Sequence, residues 1–292
     1  MAGRLLYGRR NPEEEAGLDD YRFELLSFTP EELERLSALL RSVFTGATYL
    51  TPRYLEWIYL ANPDGRAVGC NAWHGGELVG HMAAMAMTGR VEGEAMPGLF
   101  FLNGAIHPEH RGKKLQSRIS GAMFEDAVRQ GYRFAVGCGN RYSTGPLLTR
   151  FEMVRPLEAR IGLGGPRPSA GGFAPSFERA WSDEAIAWRS ANPERRYGVR
   201  GGRLLAPSGR PGIAAILHES ANLPDTPEAP PGPLRVWIGL HPGLDWRGSA
   251  FVPIPPRLRP SPLNLVWKDL TGQGLRPDPE RFVFRAADFD PF

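Results

Sequence analysis

Apolar positions recur along the chain at two spacings, and the change from one to the other marks the elements. Tyr21 to Ser27 alternates as an edge strand does. Leu33, Leu36, Leu39, Leu40 and Val43 recur every three or four residues and predict an amphipathic helix. Thr29-Pro30-Glu31-Glu32 marks its start: a capping residue, proline at the first helical position and acids in the first turn. A second helix opens at Thr51-Pro52 with Tyr54, Leu55, Trp57, Ile58 and Leu60 as its apolar residues, and Asn62-Pro63-Asp64-Gly65 ends it in a turn. Ala67 to His74 and Leu78 to Thr88 read as strands joined at Gly75-Gly76, with Arg90 to Met96 as a further meander strand. Leu99 to Ile106 is an apolar run of strand length. A helix follows from Leu115 to a stop at Gly131, with Leu115, Ile119, Ala122, Met123, Asp126 and Ala127 inward. Tyr132 to Cys138 is the next strand, and Asn140 opens a short helical segment.

Residues 162–172 shift to glycine, proline and serine, which places a domain boundary there. The predicted division is a polar, flexible segment over 1–20, a first domain over 21–165 and a second over 166–292. Beyond the boundary a helix runs from Glu184 to Ala191. Strands are expected at Ile213–His218, Leu234–Leu240, Ala250–Ile254, Leu263–Asp269 and Phe282–Phe284, with a proline-rich loop from Leu223 to Pro233. Both halves carry a tryptophan on a helix that ends in Ala-Asn-Pro: Trp57 before Ala61-Asn62-Pro63, and Trp188 before Ala191-Asn192-Pro193. We read this as the trace of an internal repeat.

With 292 residues the chain can bury a sizeable core, and 42% hydrophobic with 23% charged residues is ordinary for a globular protein. The net charge of +3 is mild. All but three of the 35 basic residues are arginine, the lysines being Lys113, Lys114 and Lys268, and no basic cluster interleaved with aromatics suggests nucleic acid. Cys70 and Cys138 lack metal-ligand spacing and fit a reducing cytoplasm. No apolar run reaches membrane-spanning length and no signal peptide is visible. The six histidines show no ligand spacing with carboxylates, so no metal is expected.

One stretch carries chemistry. The strand ending at Ile106 meets His107-Pro108-Glu109-His110, then Arg111-Gly112-Lys113-Lys114, then the helix opening Leu115-Gln116. First-turn amides of a helix have no intrahelical acceptor and sit at the positive end of its dipole. With Arg111, Lys113 and Lys114 beside them they suit a pyrophosphate. The same residues also suit a solvated surface turn.

Ile106 to Leu115 resembles the acyl-CoA motif of the GNAT N-acetyltransferase superfamily, a strand ending in Val/Ile-x-Pro followed by Arg/Gln-x-x-Gly-x-Gly/Ala at a helix start. Asn140, Ser143 and Phe151 resemble the family's next motif. The resemblance covers roughly Tyr21 to Ile161. It departs at Lys114 and Gln116, which replace glycines, at Pro146, where many members have a tyrosine, and at Arg150, which replaces the glycine of a Gly-Phe pair. It implies a mixed α/β fold with a central splayed sheet flanked by helices, followed here by a degenerate second copy without a phosphate turn.

The resemblance also implies an acyl-CoA co-substrate, acetyl-CoA first, and transfer to the amine of a small molecule such as an amino sugar or amino-acid-derived metabolite. The pyrophosphate is assigned to Arg111 and the amides of Gly112, Lys113, Lys114, Leu115 and Gln116. The pantetheine arm is assigned to Gly104, Ala105, Ile106 and Asn140, with Gly104 either at a sheet bulge or packed closely under a helix. Asn103 stands where many relatives place an acid and is assigned to orient substrate or water. Tyr142 is assigned to protonate the leaving thiolate. Trp57 and Tyr54 suit either an acceptor pocket or core packing, and Asp288 and Asp290 either a solvated tail or a tail returning to the cleft. Transfer to a protein amine and a non-catalytic acyl-CoA-binding or interaction module are the alternatives. A cytoplasmic monomer or homodimer without nucleic-acid or membrane partners is expected.

Overall fold

The structure, a computed structural model, describes residues 20–168, 172–220, 223–259 and 261–289. The flexible segment expected over 1–20 lies, apart from Asp20, outside them.

The first half runs β1 (Tyr21–Leu25), α1 (Pro30–Val43), α2 (Pro52–Tyr59), β2 (Val68–His74), β3 (Glu77–Val91), β4 (Glu94–Ile106), α3 (Leu115–Arg129), β5 (Phe134–Gly139), α4 (Thr144–Leu148), β6 (Glu152–Pro156) and β7 (Glu158–Leu163). Thr29 and Thr51 cap α1 and α2, accepting from the amides of Glu32 and Tyr54. The stretch Arg90–Met96 is not a separate strand. β3 and β4 form one long hairpin that turns at Glu92-Gly93, both with positive φ, and Val91 pairs with Glu94. On α3, Leu115, Ile119, Met123 and Ala127 are buried as expected, but Phe124 rather than Asp126 completes the inner face. Asp126 instead accepts from Arg129 and Gln130.

The second half runs β8 (Phe177–Arg179), α5 (Asp183–Ser190), β9 (Gly198–Val199), β10 (Arg203–Pro207), β11 (Ile213–Glu219), β12 (Leu234–Leu240), β13 (Val252–Pro253), β14 (Asn264–Asp269) and β15 (Phe284–Arg285). Two large sheets result. The first has the order β1-β2-β3-β4-β5-β14-β6, with β8 also paired to β3. The second has the order β9-β10-β11-β12-β7-β13, with β15 also paired to β12.

The two sheets exchange strands. β14, late in the chain, lies between β5 and β6 and pairs along the whole of β5, from Phe134↔Asp269 to Gly139↔Asn264. β7, from the first half, lies between β12 and β13 in the same way. A cut near residue 165 would therefore leave each sheet short of a strand. Each sheet also holds a parallel ladder, β4 with β5 and β11 with β12. Between β4 and β5 the chain crosses over through α3. Between β11 and β12 it crosses through the proline-rich loop, with no helix among the described residues.

The first sheet is covered on one face by α3, whose Ile119, Met123 and Phe124 pack with Val68, Ala84, Leu99 and Phe151. The other face meets α1 and α2 and the aromatics Phe134, Phe177, Trp267 and Phe282. Gly98 faces Phe134, whose ring would lie 2.1 Å from a Cβ there, so only glycine fits. Arg179 on β8, fully buried, donates to Asp64 Oδ2 at 2.7 Å and lies 3.9 Å from the Trp181 ring centre. That pair fastens the start of the second half to the turn after α2.

Candidate active site

The site grows from a place where the first sheet stops being a sheet. β4 and β5 pair from Gly98↔Phe134 to Phe101↔Gly137 and then part. β4 continues to Ile106 paired with β3 on its other edge, while β5 continues to Gly139 paired with β14. The edge of β4 from Leu102 to Ile106 is thus left without a strand partner on the β5 side. An open strand edge of this kind presents backbone donors and acceptors to whatever lies in the gap.

A bulge sits at the head of the gap. Leu102 pairs with Ala83 and Ala105 with His81, so Asn103 and Gly104 together oppose Met82. Asn103 carries the unusual backbone, with φ +54°, a region that asparagine enters more readily than most residues. Gly104 is exposed, and an added Cβ would meet nothing nearer than Met82 Cε at 3.5 Å. Of the two roles open to Gly104, close packing under a helix is not what the structure shows. Ala105 is buried and Ile106 half-buried. The Asn103 side chain donates from Nδ2 to the Tyr59 hydroxyl at 2.8 Å.

Past Ile106, a single 3-10 turn over Pro108–His110 leads into the basic turn. Arg111 folds back so that Nε donates to the Ile106 carbonyl at 3.3 Å. Gly112 has φ +77°, and Lys114 takes the left-handed backbone, φ +57°, as the N-cap of α3 with no side-chain cap. A glycine would adopt that conformation without strain, so the lysine holds the turn's shape at a cost of about 1–2 kcal/mol. The amides of Gly112, Lys113, Leu115 and Gln116 donate to no backbone or side-chain group among the described residues. Leu115 is buried and anchors the helix start, whereas Gln116 is exposed. Lys113 leans back onto Tyr21, Nζ lying 3.2 Å from its hydroxyl.

The histidines are less scattered than their spacing suggests. His74, His107 and His110 gather round Tyr21 behind the basic turn, with Tyr21 Oη 2.7 Å from His110 Nδ1. His74 is half-buried in this group. Burial, then the charge of Lys113, holds His110 below the usual histidine range. No group of three His, Cys, Asp or Glu among the described residues stands close enough to hold a metal ion.

Beyond β5, Asn140 closes its own turn. Its Oδ1 accepts from the amides of Tyr142 and Ser143 and from Ser143 Oγ, leaving Nδ2 as the side-chain group to meet a ligand. Tyr142 is 79% exposed, beside the Arg141 guanidinium. Phe151 is buried against Phe101 and Phe124. Arg150 has found a use for its side chain: Nη2 donates to the carbonyl and hydroxyl of Ser117, tying the end of α4 to the first turn of α3.

Other candidates fall away from the gap. Trp57 and Tyr54 are core residues, Trp57 stacked on Trp188. Asp288 lies in neither a solvated tail nor a cleft. It is fully buried and accepts from Trp181 Nε1 and the Arg285 amide, while Asp290 is outside the described residues. Burial pushes the thiols of Cys70 and Cys138 up to about 12, which makes both poor nucleophiles. Sequence reasoning did not assign Tyr59, Asn71 or Glu32, which stand behind Asn103. The polar residue His81, set in an apolar strand, was the available signal.

The family model of the acetyltransferase (GNAT) domain matches residues 25–151, which hold the bulge, the gap and the basic turn. This segment belongs to the GNAT superfamily. The fold extends beyond the GNAT domain, since three solved structures align with about 85% of the chain. A conserved protein from Enterococcus faecalis V583, described as a probable N-acyltransferase, superposes with a TM-score of 0.59 at 11% identity, covering 86% of this chain and 73% of its own. A GCN5-related N-acetyltransferase from Anabaena variabilis ATCC 29413 gives 0.58 at 12% identity, covering 85% and 73%. Eis1 from Mycobacterium abscessus gives 0.52 at 12% identity, covering 86% and 73%. No curated protein matches the chain. The GNAT fold supports acyl-CoA-dependent acetyl transfer in general, and no helix among the described residues is long and apolar enough to cross a membrane.

Proposed function

We propose that this chain moves an acetyl group from acetyl-CoA to the primary amine of a small molecule, with the co-substrate lying in the gap between β4 and β5. The observation that carries this is two stretches of unpaired backbone separated by one 3-10 turn: the open edge of β4, and the amides of Gly112, Lys113, Leu115 and Gln116, which donate to no group among the described residues. A pantetheine arm pairs with backbone at Gly104, Ala105 and Ile106, and the pyrophosphate meets Arg111 and the amides from Gly112 to Gln116. Lys113 and Lys114 add charge from the rim, and Asn140 Nδ2 faces the arm from the β5 side. The substituted position at Lys114 supports this reading, because its backbone keeps the left-handed form that the glycine would supply.

The chemistry is direct. The neutral amine attacks the thioester carbonyl, a C–N bond forms, and the oxyanion takes a hydrogen bond from a backbone N–H freed by the bulge. The C–S bond then breaks, the thiolate receives a proton from Tyr142, the amine's proton leaves to water, and the exposed Tyr142 takes a proton back from water. Asn103 orients the amine. Holding both reactants in the gap supplies the rest of the acceleration.

We read the second sheet as a degenerate copy of the first domain, the division falling near residue 165. The supporting features are its parallel ladder, its reciprocal strand exchange and its crossover without a phosphate turn. We place the enzyme in the cytoplasm, as a monomer or homodimer. The test is release of CoA thiol from acetyl-CoA with a panel of small amines, including amino sugars and amino-acid amides. Amine-dependent release is expected, and acetyl-CoA binding without release to any amine would favour a non-catalytic module.

A further inference from the structure

Behind Asn103 a line of polar side chains crosses the core of the first domain. Asn103 Nδ2 donates to Tyr59 Oη at 2.8 Å, and Tyr59 Oη lies 3.0 Å from His81 Nε2. His81 Nδ1 lies 2.7 Å from Asn71 Oδ1, and Asn71 Nδ2 donates to Glu32 Oε1. Tyr59 and His81 have no exposed surface, Asn71 is 1% exposed and Glu32 7%. Burying four polar side chains in sequence is costly unless each is satisfied.

The far end fixes the direction of every bond. Glu32 Oε2 accepts from the amides of Ser27 and Phe28 and from Ser27 Oγ. A carboxylate used in this way is an acceptor only, so the Asn71 group facing it is the NH2. Asn71 Oδ1 must then accept from His81 Nδ1–H, which leaves His81 Nε2 as an acceptor. Tyr59 donates its O–H to that nitrogen, and its lone pair accepts from Asn103. Burial supports the neutral imidazole that this needs, holding His81 down to about 3. The Asn103 amide is therefore locked with Nδ2 inward, and no described residue donates to its Oδ1. Asn103 is half-buried at the bulge, at the head of the gap.

We propose that Tyr59 and His81 are positioning residues for the acceptor amine: through this one-way chain anchored on Glu32, they hold the Asn103 amide so that Oδ1 accepts an N–H of the neutral amine as its lone pair meets the thioester. The inference rests on the acetyl-transfer reading above. It also sets the class of acceptor. An amide oxygen accepts a hydrogen bond but takes no proton, so the site serves amines with a sizeable free-base fraction. An α-amine, with a pKa of about 8, qualifies far better than a lysine-type amine at about 10.4.

The experiment is a double-mutant cycle on the full chain, with glycinamide as the probe acceptor and acetyl-CoA as donor. Asn103→Ala and Tyr59→Phe are each expected to lower kcat/KM for glycinamide about tenfold, with acetyl-CoA affinity unchanged within twofold. In the Asn103→Ala background, Tyr59→Phe is expected to change kcat/KM less than twofold, because it has nothing left to position. His81→Gln repeats the cycle one step further along the chain, and should show the same silence if Tyr59→Phe folds poorly. Equal losses with and without Asn103, or a parallel loss of acetyl-CoA affinity, overturn the inference and reduce Tyr59 and His81 to core residues. A parent chain that binds acetyl-CoA but acetylates no amine overturns the transfer reading itself, and this inference with it.

Discussion

Trp57 and Trp188 stack at 4.9 Å between ring centres, and each donates its indole N–H to the other's backbone carbonyl at 3.1 Å. The two residues stand at matching places in the two halves, on α2 and α5, each just before Ala-Asn-Pro. A bond pattern that returns on itself is what a local two-fold axis produces. The same relation appears in the sheets, where β14 completes the first and β7 the second.

The pair makes a stability prediction. Trp188→Phe keeps a ring in the stack but removes one indole donor and leaves the Trp57 carbonyl buried without a partner. A loss of about 1–3 kcal/mol is expected in urea unfolding. Trp57→Phe should cost less, because the Trp188 carbonyl still accepts from the Ala191 amide, and the double variant should cost less than the sum, because the residues share one contact. Acetyl-CoA affinity should be unchanged in all three. Simple additivity would show that the rings act independently.

Arg150→Gly restores the family's glycine but removes the guanidinium that holds Ser117 at the first turn of α3. A stability loss of about 1.5–3 kcal/mol is expected, the range for hydrogen bonds to a charged group. Acetyl-CoA affinity should fall too, since the helix start would be less well placed. A stable variant with parent affinity would mean that the arginine is dispensable to both.

Three histidines should make stability fall toward acid pH. Burial holds His81 and His218 down to about 3 and His241 to about 4, with Arg285 adding to the effect on the last two. Above their unfolded value of about 6.5 they are neutral in both states and contribute no pH dependence. As pH falls below it, the unfolded chain takes up protons that the folded chain refuses, so stability falls. Each contributes a slope of about 1.4 kcal/mol per pH unit until its folded value is reached. Buried Asp288, whose carboxyl is raised by burial, works in the opposite sense at the acid end. The urea midpoint should drop between pH 7 and 5, and His218→Gln should flatten the drop. A midpoint independent of pH in that range would contradict the burial of these rings.

Much of the first domain was legible because its signals are local. Thr29 and Thr51 cap the helices predicted from their neighbours, and the Ile106–Leu115 turn is read within ten residues. The strand exchange was not legible. Leu263–Asp269 reads as a strand, but nothing in its composition says that it joins β5, 130 residues earlier. The chain behind Asn103 was hidden for the same reason: Glu32, Tyr59, Asn71 and His81 come from four elements and share no spacing. Asp288 misled because it stands near the end of the sequence, although Ala286 and Ala287 beside it are as deeply buried. Arg90–Met96 misled because the hairpin turn at Glu92-Gly93 lies inside the apolar pattern.

Calorimetric titration of the parent and Arg111→Ala chains decides whether the gap and its basic turn hold acetyl-CoA. Saturable binding to the parent is expected, with about ten- to a hundredfold weaker binding to the variant, the loss of a hydrogen bond to a charged group. Asn140→Ala should lose less, because its side-chain oxygen already serves its own turn. Parent and Arg111→Ala chains with equal affinity and intact folds, or no heat at millimolar acetyl-CoA, would contradict this binding site.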